Sequence, residues 1–244
     1  MPKDRMLLAV LIDADNIPAR YASEILREIT TYGEPALRRV YGDWSSPALA
    51  NWKREVVELG MVANQETANT KGKNASDIGL VIDAMDILHT GRFDGFVLVS
   101  SDSDFTALAN RLREDGVEVI GIGEAKAPVS LRNVCNRFIL IENIVGSDKD
   151  QTKAEAPKTE KVAQSASNRQ PPSKAVPLII KAMESIDSEG DWFSLGPLGQ
   201  HITRAHPDFD PRTYGSPKLS DLLAKTGRFE VKKEGKTVEV RRLD

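Results

Sequence analysis

The sequence predicts an α/β fold with a doubly wound, mostly parallel sheet in residues 1–146, and a small winged helix-turn-helix domain in residues 175–244. Most of the strand-like segments in the first part are continuous apolar runs, which are typical of strands buried on both faces of a parallel sheet. Amphipathic stretches of helical length alternate strictly with them, as crossover helices require. The C-terminal part instead shows three helical stretches followed by a hairpin pattern.

The elements of the first domain follow one another with short polar loops between them. The predicted strands are 6–12, 36–42, 61–65, 95–101, 117–123 and 138–142. The predicted helices are 19–32, 47–59, 76–90, 104–115 and 129–136. Ser76 is a favourable N-cap for the third helix, and Gly91 and Gly116 are suited to end the third and fourth helices.

Composition excludes several classes of protein. The chain has 244 residues, 40% of them hydrophobic and 28% charged, which argues against wholesale disorder. Its net charge of −3 means that any binding of nucleic acid must come from local patches. The apolar run 6–12 is too short for a membrane helix and has no cleavage site, so we expect no membrane partner. The single cysteine, Cys135, cannot form an internal disulfide, which fits a cytoplasmic protein.

Residues 147–174 have a different composition from the rest of the chain. They consist mainly of Ser, Ala, Lys, Glu and Gln, with two consecutive prolines near the end, at 171 and 172. Almost none of these side chains can enter a hydrophobic core. We therefore predict a flexible linker between the two domains.

Pairs of aspartates follow two of the predicted strands. Asp13 and Asp15 come after the first strand, and Asp102 and Asp104 come after the fourth. A strand order of 3-2-1-4-5 would make these strands neighbours at the switch point, so that both loops face one crevice. Asp77 begins the helix that leads to the fourth strand, so its carboxylate is expected near the same edge.

Carboxylates gathered in this way repel one another unless a hard cation neutralises them. Mg²⁺ or Mn²⁺ fits such a site, and the implied chemistry is hydrolysis of a phosphodiester. Plainer roles exist for three of the residues: Asp77 suits a helix N-terminus, Asp104 suits a helix cap, and Asp15 suits a turn. Asp13 is the hardest to explain without a function, because it ends a run of seven apolar residues.

A polar loop precedes Asp77 and carries Lys71 and Lys73, which could contact a phosphate backbone or could belong to an ordinary solvated loop. No glycine-rich phosphate-binding loop follows the first strand, which argues against binding of dinucleotides or nucleoside triphosphates. The three histidines are not spaced like zinc ligands.

Three segments together resemble the NYN domain, a PIN-like nuclease family: Ile-Asp-Ala-Asp-Asn at 12–16, Lys-Asn-Ala-Ser-Asp at 73–77 and Val-Ser-Ser-Asp-Ser-Asp-Phe at 99–105. The resemblance implies a PIN-like sheet of order 3-2-1-4-5 and a metal-dependent ribonuclease. The metal ligands that it implies are Asp13, Asp77, Asp102 and Asp104, and Asn16 would orient the first loop.

The C-terminal part contains predicted helices at 176–187, at about 195–206 and at 217–225, with strands at 229–233 and 237–241. The segments 209–215 and 218–223 resemble the LOTUS or OST-type HTH domain. This resemblance implies RNA binding and, in some relatives, a protein partner. The basic residues that we expect to contact phosphates are Arg212, Lys218, Lys232, Lys233 and Lys236.

The leading hypothesis is a Mg²⁺- or Mn²⁺-dependent ribonuclease with a tethered RNA-binding domain. Two alternatives remain open from the sequence. One is a non-catalytic RNA-binding adaptor with the same fold. The other is a phosphatase of the haloacid-dehalogenase type with Asp13 as the nucleophile, although the residues that usually follow such an aspartate are replaced by Asn-Ile-Pro.

Overall fold

A computed structural model describes residues 5–65, 75–147, 169–186, 190–235 and 237–243. The chain divides into two compact units, residues 1–145 and 146–244. Three of the basic residues expected to contact RNA, Lys71, Lys73 and Lys236, lie outside the described residues. Within the described part, no helix is both long and apolar enough to cross a membrane.

The first unit is built on a six-stranded parallel sheet with the order β3-β2-β1-β4-β5-β6. Its strands are β1 (Leu7–Asp13), β2 (Glu34–Gly42), β3 (Val62–Gln65), β4 (Gly95–Val99), β5 (Glu118–Gly123) and β6 (Arg137–Leu140). The predicted order 3-2-1-4-5 is confirmed, and the sixth strand extends the sheet beside β5. The reversal of strand order therefore falls between β1 and β4, which are neighbours.

Helices cover both faces of this sheet. They are α1 (Ala22–Ile29), α2 (Ala50–Glu58), α3 (Ala75–His89), α4 (Thr106–Glu114), α5 (Val129–Val134) and α6 (Ile141–Ser147). Alternate residues of β1 point to opposite faces. Val10 accordingly packs in one core with Trp52 of α2, whereas Leu11 packs in a second core with Leu80 of α3. Gly91 and Gly116 follow α3 and α4 with positive φ, as predicted.

Several boundaries differ from the prediction, and three examples show why. The strand predicted over 138–142 ends at Leu140, because Ile141 already begins α6 and its side chain is buried there. The helix predicted over 19–32 is a 3₁₀ turn at Ala19–Tyr21 followed by α1. Ser76 lies inside α3 rather than capping it, and its hydroxyl donates to Asp15 instead.

The second unit contains three helices and a small antiparallel sheet. Its elements are α7 (Val176–Glu184), β7 (Phe193–Ser194), α8 (Leu195–Ala205), α9 (Leu219–Thr226), β8 (Phe229–Glu234) and β9 (Thr237–Arg242). The sheet has the order β7-β9-β8. The end of the predicted linker packs against this unit: Pro172–Ala175 form a 3₁₀ turn, and Gln170 N–H donates to the Thr213 carbonyl.

Candidate active site

Asp13 is the last residue of β1, and its carboxylate is held from several sides. It is 3% exposed. One carboxylate oxygen, Oδ1, accepts the backbone N–H groups of Asp15 and Asn16, both at 3.2 Å. The other, Oδ2, accepts the hydroxyl of Ser100 at 2.9 Å. The loop after β1 thus folds back on the carboxylate that precedes it, which fixes the orientation of that side chain.

The loop after β4 lies directly beside the loop after β1. The Ser100 oxygen that donates to Asp13 also accepts the N–H of Asp102 at 3.1 Å. A second link joins the same loops, because the Asn16 side-chain carbonyl accepts the N–H of Ser101 at 3.2 Å. Both contacts follow from the pairing of β1 with β4 up to the last residues of the strands. The two aspartate loops therefore share one edge of the sheet.

Asp77 joins these loops from the first turn of α3, and it is half-buried. Burial raises its pKa, and so do the negative charges of Asp102, Asp104 and Asp15. The neighbouring residue Ser76 donates its hydroxyl to Asp15 Oδ2 at 2.9 Å. The N-terminal end of α3 and the loop after β1 are thus in direct contact, as predicted for Asp77 from its place in the sequence.

Burial raises the pKa of Asp13 to about 6, and the charges of Asp77 and Asp15 contribute in the same direction. Hydrogen bonds from Ser100 and from the Asn16 backbone act against this increase. Repulsion among the carboxylates therefore contributes to the raised pKa of Asp13. Such repulsion is what a bound cation would relieve.

Asp102 and Asp104 have different surroundings. Asp102 is the N-cap of the 3₁₀ turn Ser103–Phe105, and its Oδ1 accepts the N–H of Asp104 at 3.0 Å. The capping role considered for Asp104 thus belongs to Asp102, while Asp104 is exposed in the turn. In the described part of the chain, no ion pair engages Asp13, Asp77 or Asp102. Their charges are not neutralised there by arginine or lysine.

The donor set suits a hard cation, because it consists of carboxylate oxygens, the ligands that Mg²⁺ prefers. Among the described residues, however, no three Asp, Glu, His or Cys side chains are close enough together to form a ready-made metal site. A cation would therefore have to draw the carboxylates closer together. Neither Asp13 nor Asp102 would need to break an ion pair to move.

A second polar cluster, which the sequence did not reveal, lies next to the carboxylates. Asp83 of α3 accepts hydrogen bonds from Arg39 and Tyr41 of β2 and, at 3.2 Å, from the Asn64 amide of β3. Tyr41 is the register partner of Asp13 in the sheet. Asp83 thus ties α3 to the strand beside Asp13, and it helps to set where the first turn of α3 lies.

The basic residues predicted to contact RNA in the second unit differ in their surroundings. Lys218 is exposed and immediately precedes α9. Lys232 and Lys233 are both exposed on β8, but as consecutive strand residues they point to opposite faces of the hairpin. Arg212 forms an ion pair of 2.7 Å with Asp210, so a phosphate would have to compete with that carboxylate.

One further aromatic residue lies beside Lys232. The Arg241 guanidinium lies 4.9 Å from the centre of the Trp192 ring, and the Lys232 ammonium lies 6.0 Å from it. Arg241 also forms a 2.6 Å ion pair with Glu230, which is opposite it in the hairpin. Nothing in the sequence singled out Trp192. Its cation–π contacts depend on strand register, which the sequence does not state.

Comparison with known proteins agrees with the two resemblances. The model of the NYN domain matches residues 7–142, and that of the OST-HTH/LOTUS domain matches residues 166–240. A search of curated proteins gives no significant match.

Solved structures offer weaker likenesses. A protein of unknown function from Vibrio parahaemolyticus is 21% identical, with a TM-score of 0.49; the alignment covers 58% of this chain and 96% of that one. An uncharacterized protein from Nitrosomonas europaea is 29% identical, with a TM-score of 0.27, over 38% of this chain and 90% of that one. Both TM-scores are below 0.5, so these likenesses add nothing to the fold assignment.

The NYN match includes all six strands of the first unit, α3 and both aspartate loops, and it covers more than half of the chain. The OST-HTH/LOTUS match includes the helices and most of the hairpin of the second unit. The chain therefore belongs to the NYN domain family of PIN-like nucleases and carries an OST-HTH/LOTUS domain after its NYN domain.

Proposed function

We propose that this chain is a divalent-metal-dependent ribonuclease, in which the first unit hydrolyses RNA phosphodiester bonds and the second unit binds RNA. The observation that supports this proposal best is the set of acidic side chains at one edge of the sheet. Asp13, Asp77 and Asp102 come from three separate elements and form no ion pair within the described residues. Burial raises the pKa of Asp77, and the charges of the neighbouring aspartates raise it further.

Each residue has a distinct role in the proposed reaction. Asp13, Asp77, Asp102 and Asp104 would hold Mg²⁺ or Mn²⁺ through carboxylate oxygens. The bound ion would supply Lewis acidity to the phosphodiester and make an attacking water more acidic. Asn16 would act as a positioning residue, because its bond to Ser101 N–H keeps the two loops together.

The second unit would hold the RNA strand near this edge through its exposed basic residues. Lys218, Lys232 and Lys233 are exposed, and Trp192 lies beside Lys232. Arg212 would contribute only by exchanging Asp210 for a phosphate. The residues Lys71, Lys73 and Lys236 belong to the same proposal on the basis of the sequence alone. Tethering of a binding domain to a cutting domain raises the local concentration of RNA at the cutting site.

A non-catalytic RNA-binding adaptor is the second candidate. It is favoured by the lack of a ready-made metal site among the described residues. The phosphatase alternative gains no support, because the chain belongs to the NYN family.

The experiment that tests the proposal is cleavage of end-labelled single-stranded RNA by the full chain, with Mg²⁺, with Mn²⁺ or with EDTA. We expect cleavage only with a metal, and we expect Asp13→Asn and Asp102→Asn each to abolish it while RNA binding persists. Calorimetric titration with Mn²⁺ separates the adaptor from the nuclease. Absence of metal binding and of cleavage by the unmodified chain would establish the adaptor instead.

A further inference from the structure

A pocket of about 390 Å³ opens beside the loop that follows β1. Its walls come from that loop, including Asp15 and Asn16, and from residues just before and at the start of α2, including Ala48 and Asn51. The volume is within the range of pockets that bind small organic groups. The pocket therefore shares the loop after β1 with the acidic edge, and its other walls come from just before and at the start of α2.

The floor of the pocket is apolar and firmly held. Leu49 and Trp52 line it and are almost completely buried. The indole N–H of Trp52 donates to the carbonyl of Ile17 at 2.8 Å, so this aromatic wall is fixed against the opposite loop. An apolar and preformed lining of this kind suits an aromatic ring.

The rim of the pocket is polar. The side-chain carbonyl of Asn16 accepts a hydrogen bond from Ser101, which leaves its NH₂ group as the part that can donate to a ligand. Asn51 is exposed and can both donate and accept. Arg20 is exposed, stacks on Tyr21 at 4.5 Å, and forms no ion pair with a carboxylate among the described residues. The rim thus offers two amides and one cation, together with the exposed carboxylate of Asp15.

We propose that this pocket binds the unpaired nucleobase of the nucleotide next to the phosphate that is cleaved. This inference rests on the proposed ribonuclease function. A nucleobase combines an aromatic ring with donors and acceptors along its edge, which match the apolar floor and the amides of Asn16 and Asn51. Arg20 would lie near the backbone phosphate. A base-paired nucleotide has its edge occupied, so the substrate class is single-stranded RNA.

The position of the pocket explains how a bound base would direct cleavage. Asp15 and Asn16 line the pocket, and their backbone N–H groups donate to the Asp13 carboxylate. A base in the pocket would therefore place the phosphate of its own nucleotide beside the acidic edge. Asn51 is well placed to distinguish one base from another, because it is the rim amide that forms no hydrogen bond to the aspartate loops within the part of the chain that the structure describes.

The test is calorimetric titration of the full chain in EDTA with each of the four nucleoside 5′-monophosphates and with ribose 5-phosphate. We expect at least one nucleotide to bind about tenfold more tightly than ribose 5-phosphate, because only the nucleotides can fill the pocket. Ala48→Phe places a ring in the pocket and should remove that preference. Asn51→Ala should weaken nucleotide binding by about threefold to tenfold through loss of hydrogen bonds. Asn110→Ala, at an exposed asparagine of α4, is the matched control and should change nothing.

Equal affinities for nucleotides and ribose 5-phosphate would overturn the inference, and so would a nucleotide preference that survives both Ala48→Phe and Asn51→Ala. A preference that survives both variants is the result expected if nucleotides bind only to the second unit. Asn51 is exposed, so its variant keeps the test valid if Ala48→Phe fails to fold. Nucleotide binding is measured in EDTA, and cleavage is measured separately with Mg²⁺ or Mn²⁺. Nucleotide binding without cleavage would reject the nuclease alone, whereas cleavage without nucleotide binding would reject the pocket alone.

Discussion

The Ser100 hydroxyl donates a 2.9 Å hydrogen bond to Asp13, although 87 residues separate the two along the chain. The same oxygen accepts the N–H of Asp102, so one small side chain orients both aspartate loops. Residues that orient the ligands of a metal commonly matter nearly as much for metal affinity and activity as the ligands themselves. Ser100 is therefore the positioning residue with the clearest predicted effect.

Replacement of Ser100 by alanine should lower the affinity for Mn²⁺ and the rate of RNA cleavage, each by about tenfold, because a lost buried hydrogen bond is worth roughly 1–1.5 kcal/mol. Ser103→Ala is the matched control, since Ser103 is exposed in the same loop. Calorimetry with Mn²⁺ and a cleavage time course provide the two readouts. Equal behaviour of the two variants would show that the Ser100 bond does not organise the site.

Much of this edge was predictable from sequence because it depends on topology. Apolar runs revealed the strands, strict alternation with helices indicated a parallel sheet, and the order of strands then brought Asp13 and Asp102 to neighbouring loops. The bonds that join those loops were not predictable. Whether Asn16 reaches Ser101 depends on ångström-scale placement of two loop backbones, which hydrophobic periodicity does not report.

The buried carboxylate of Asp13 is expected to serve the proposed function while lowering the stability of the fold. Its pKa is raised to about 6 in the folded chain, so between pH 4 and pH 6 the folded state binds a proton that the unfolded state has released. Stability therefore falls as the pH rises through that window, and it stays reduced above pH 6. The penalty is about 3 kcal/mol, at 1.36 kcal/mol per unit of pKa.

Asp13→Asn should remove this penalty in the metal-free protein. We expect the variant to be more stable than the unmodified chain at pH 7.5 in EDTA, by up to about 3 kcal/mol, with the difference nearly gone at pH 4. Chemical denaturation at the two pH values measures it. Asp86→Asn, at an exposed residue of α3, should show no such trend. If Asp13→Asn is less stable than the unmodified chain at pH 7.5, the hydrogen bonds accepted by the Asp13 carboxylate stabilise the fold by more than its desolvation destabilises it.

The Asp83 cluster predicts a coupling between α3 and β2. Tyr41→Phe should destabilise the first unit by about 1–2 kcal/mol, because a buried hydrogen bond is lost, and Asp83→Ala should cost about 3 kcal/mol, because Arg39 and Tyr41 both lose their acceptor. Tyr21→Phe is the control, since its hydroxyl is bonded only to exposed Arg20 among the described residues. Urea denaturation of these variants and of Tyr41→Phe combined with Asp83→Ala should give a coupling energy of about 1 kcal/mol.

Purely additive effects of Tyr41→Phe and Asp83→Ala would contradict that coupling. The cluster also shows why sequence reasoning missed some residues. Nothing in the sequence spacing of Arg39, Tyr41 and Asp83 pointed to a shared contact. Polar networks between distant segments leave no periodic signature, whereas apolar strands and helices do.

The second unit makes the last prediction, which concerns the two faces of its hairpin. Lys232 shares a face with Trp192 and Arg241, whereas Lys233 points to the other face. A lysine that contacts RNA phosphate should, when changed to alanine, reduce the slope of log affinity against log salt by about 0.7 for a single strand. We expect this for Lys232→Ala, with a further loss of affinity for Trp192→Ala because bases stack on aromatic rings.

Fluorescence anisotropy of labelled single-stranded RNA with the full chain, in EDTA and at several salt concentrations, measures both effects. Lys181→Ala is the matched control, because Lys181 is an exposed lysine of α7 outside the hairpin. If Lys233→Ala changes the slope and Lys232→Ala does not, RNA uses the opposite face. If none of these variants differs from Lys181→Ala, the hairpin does not bind RNA, and the second unit is better explained by a protein partner.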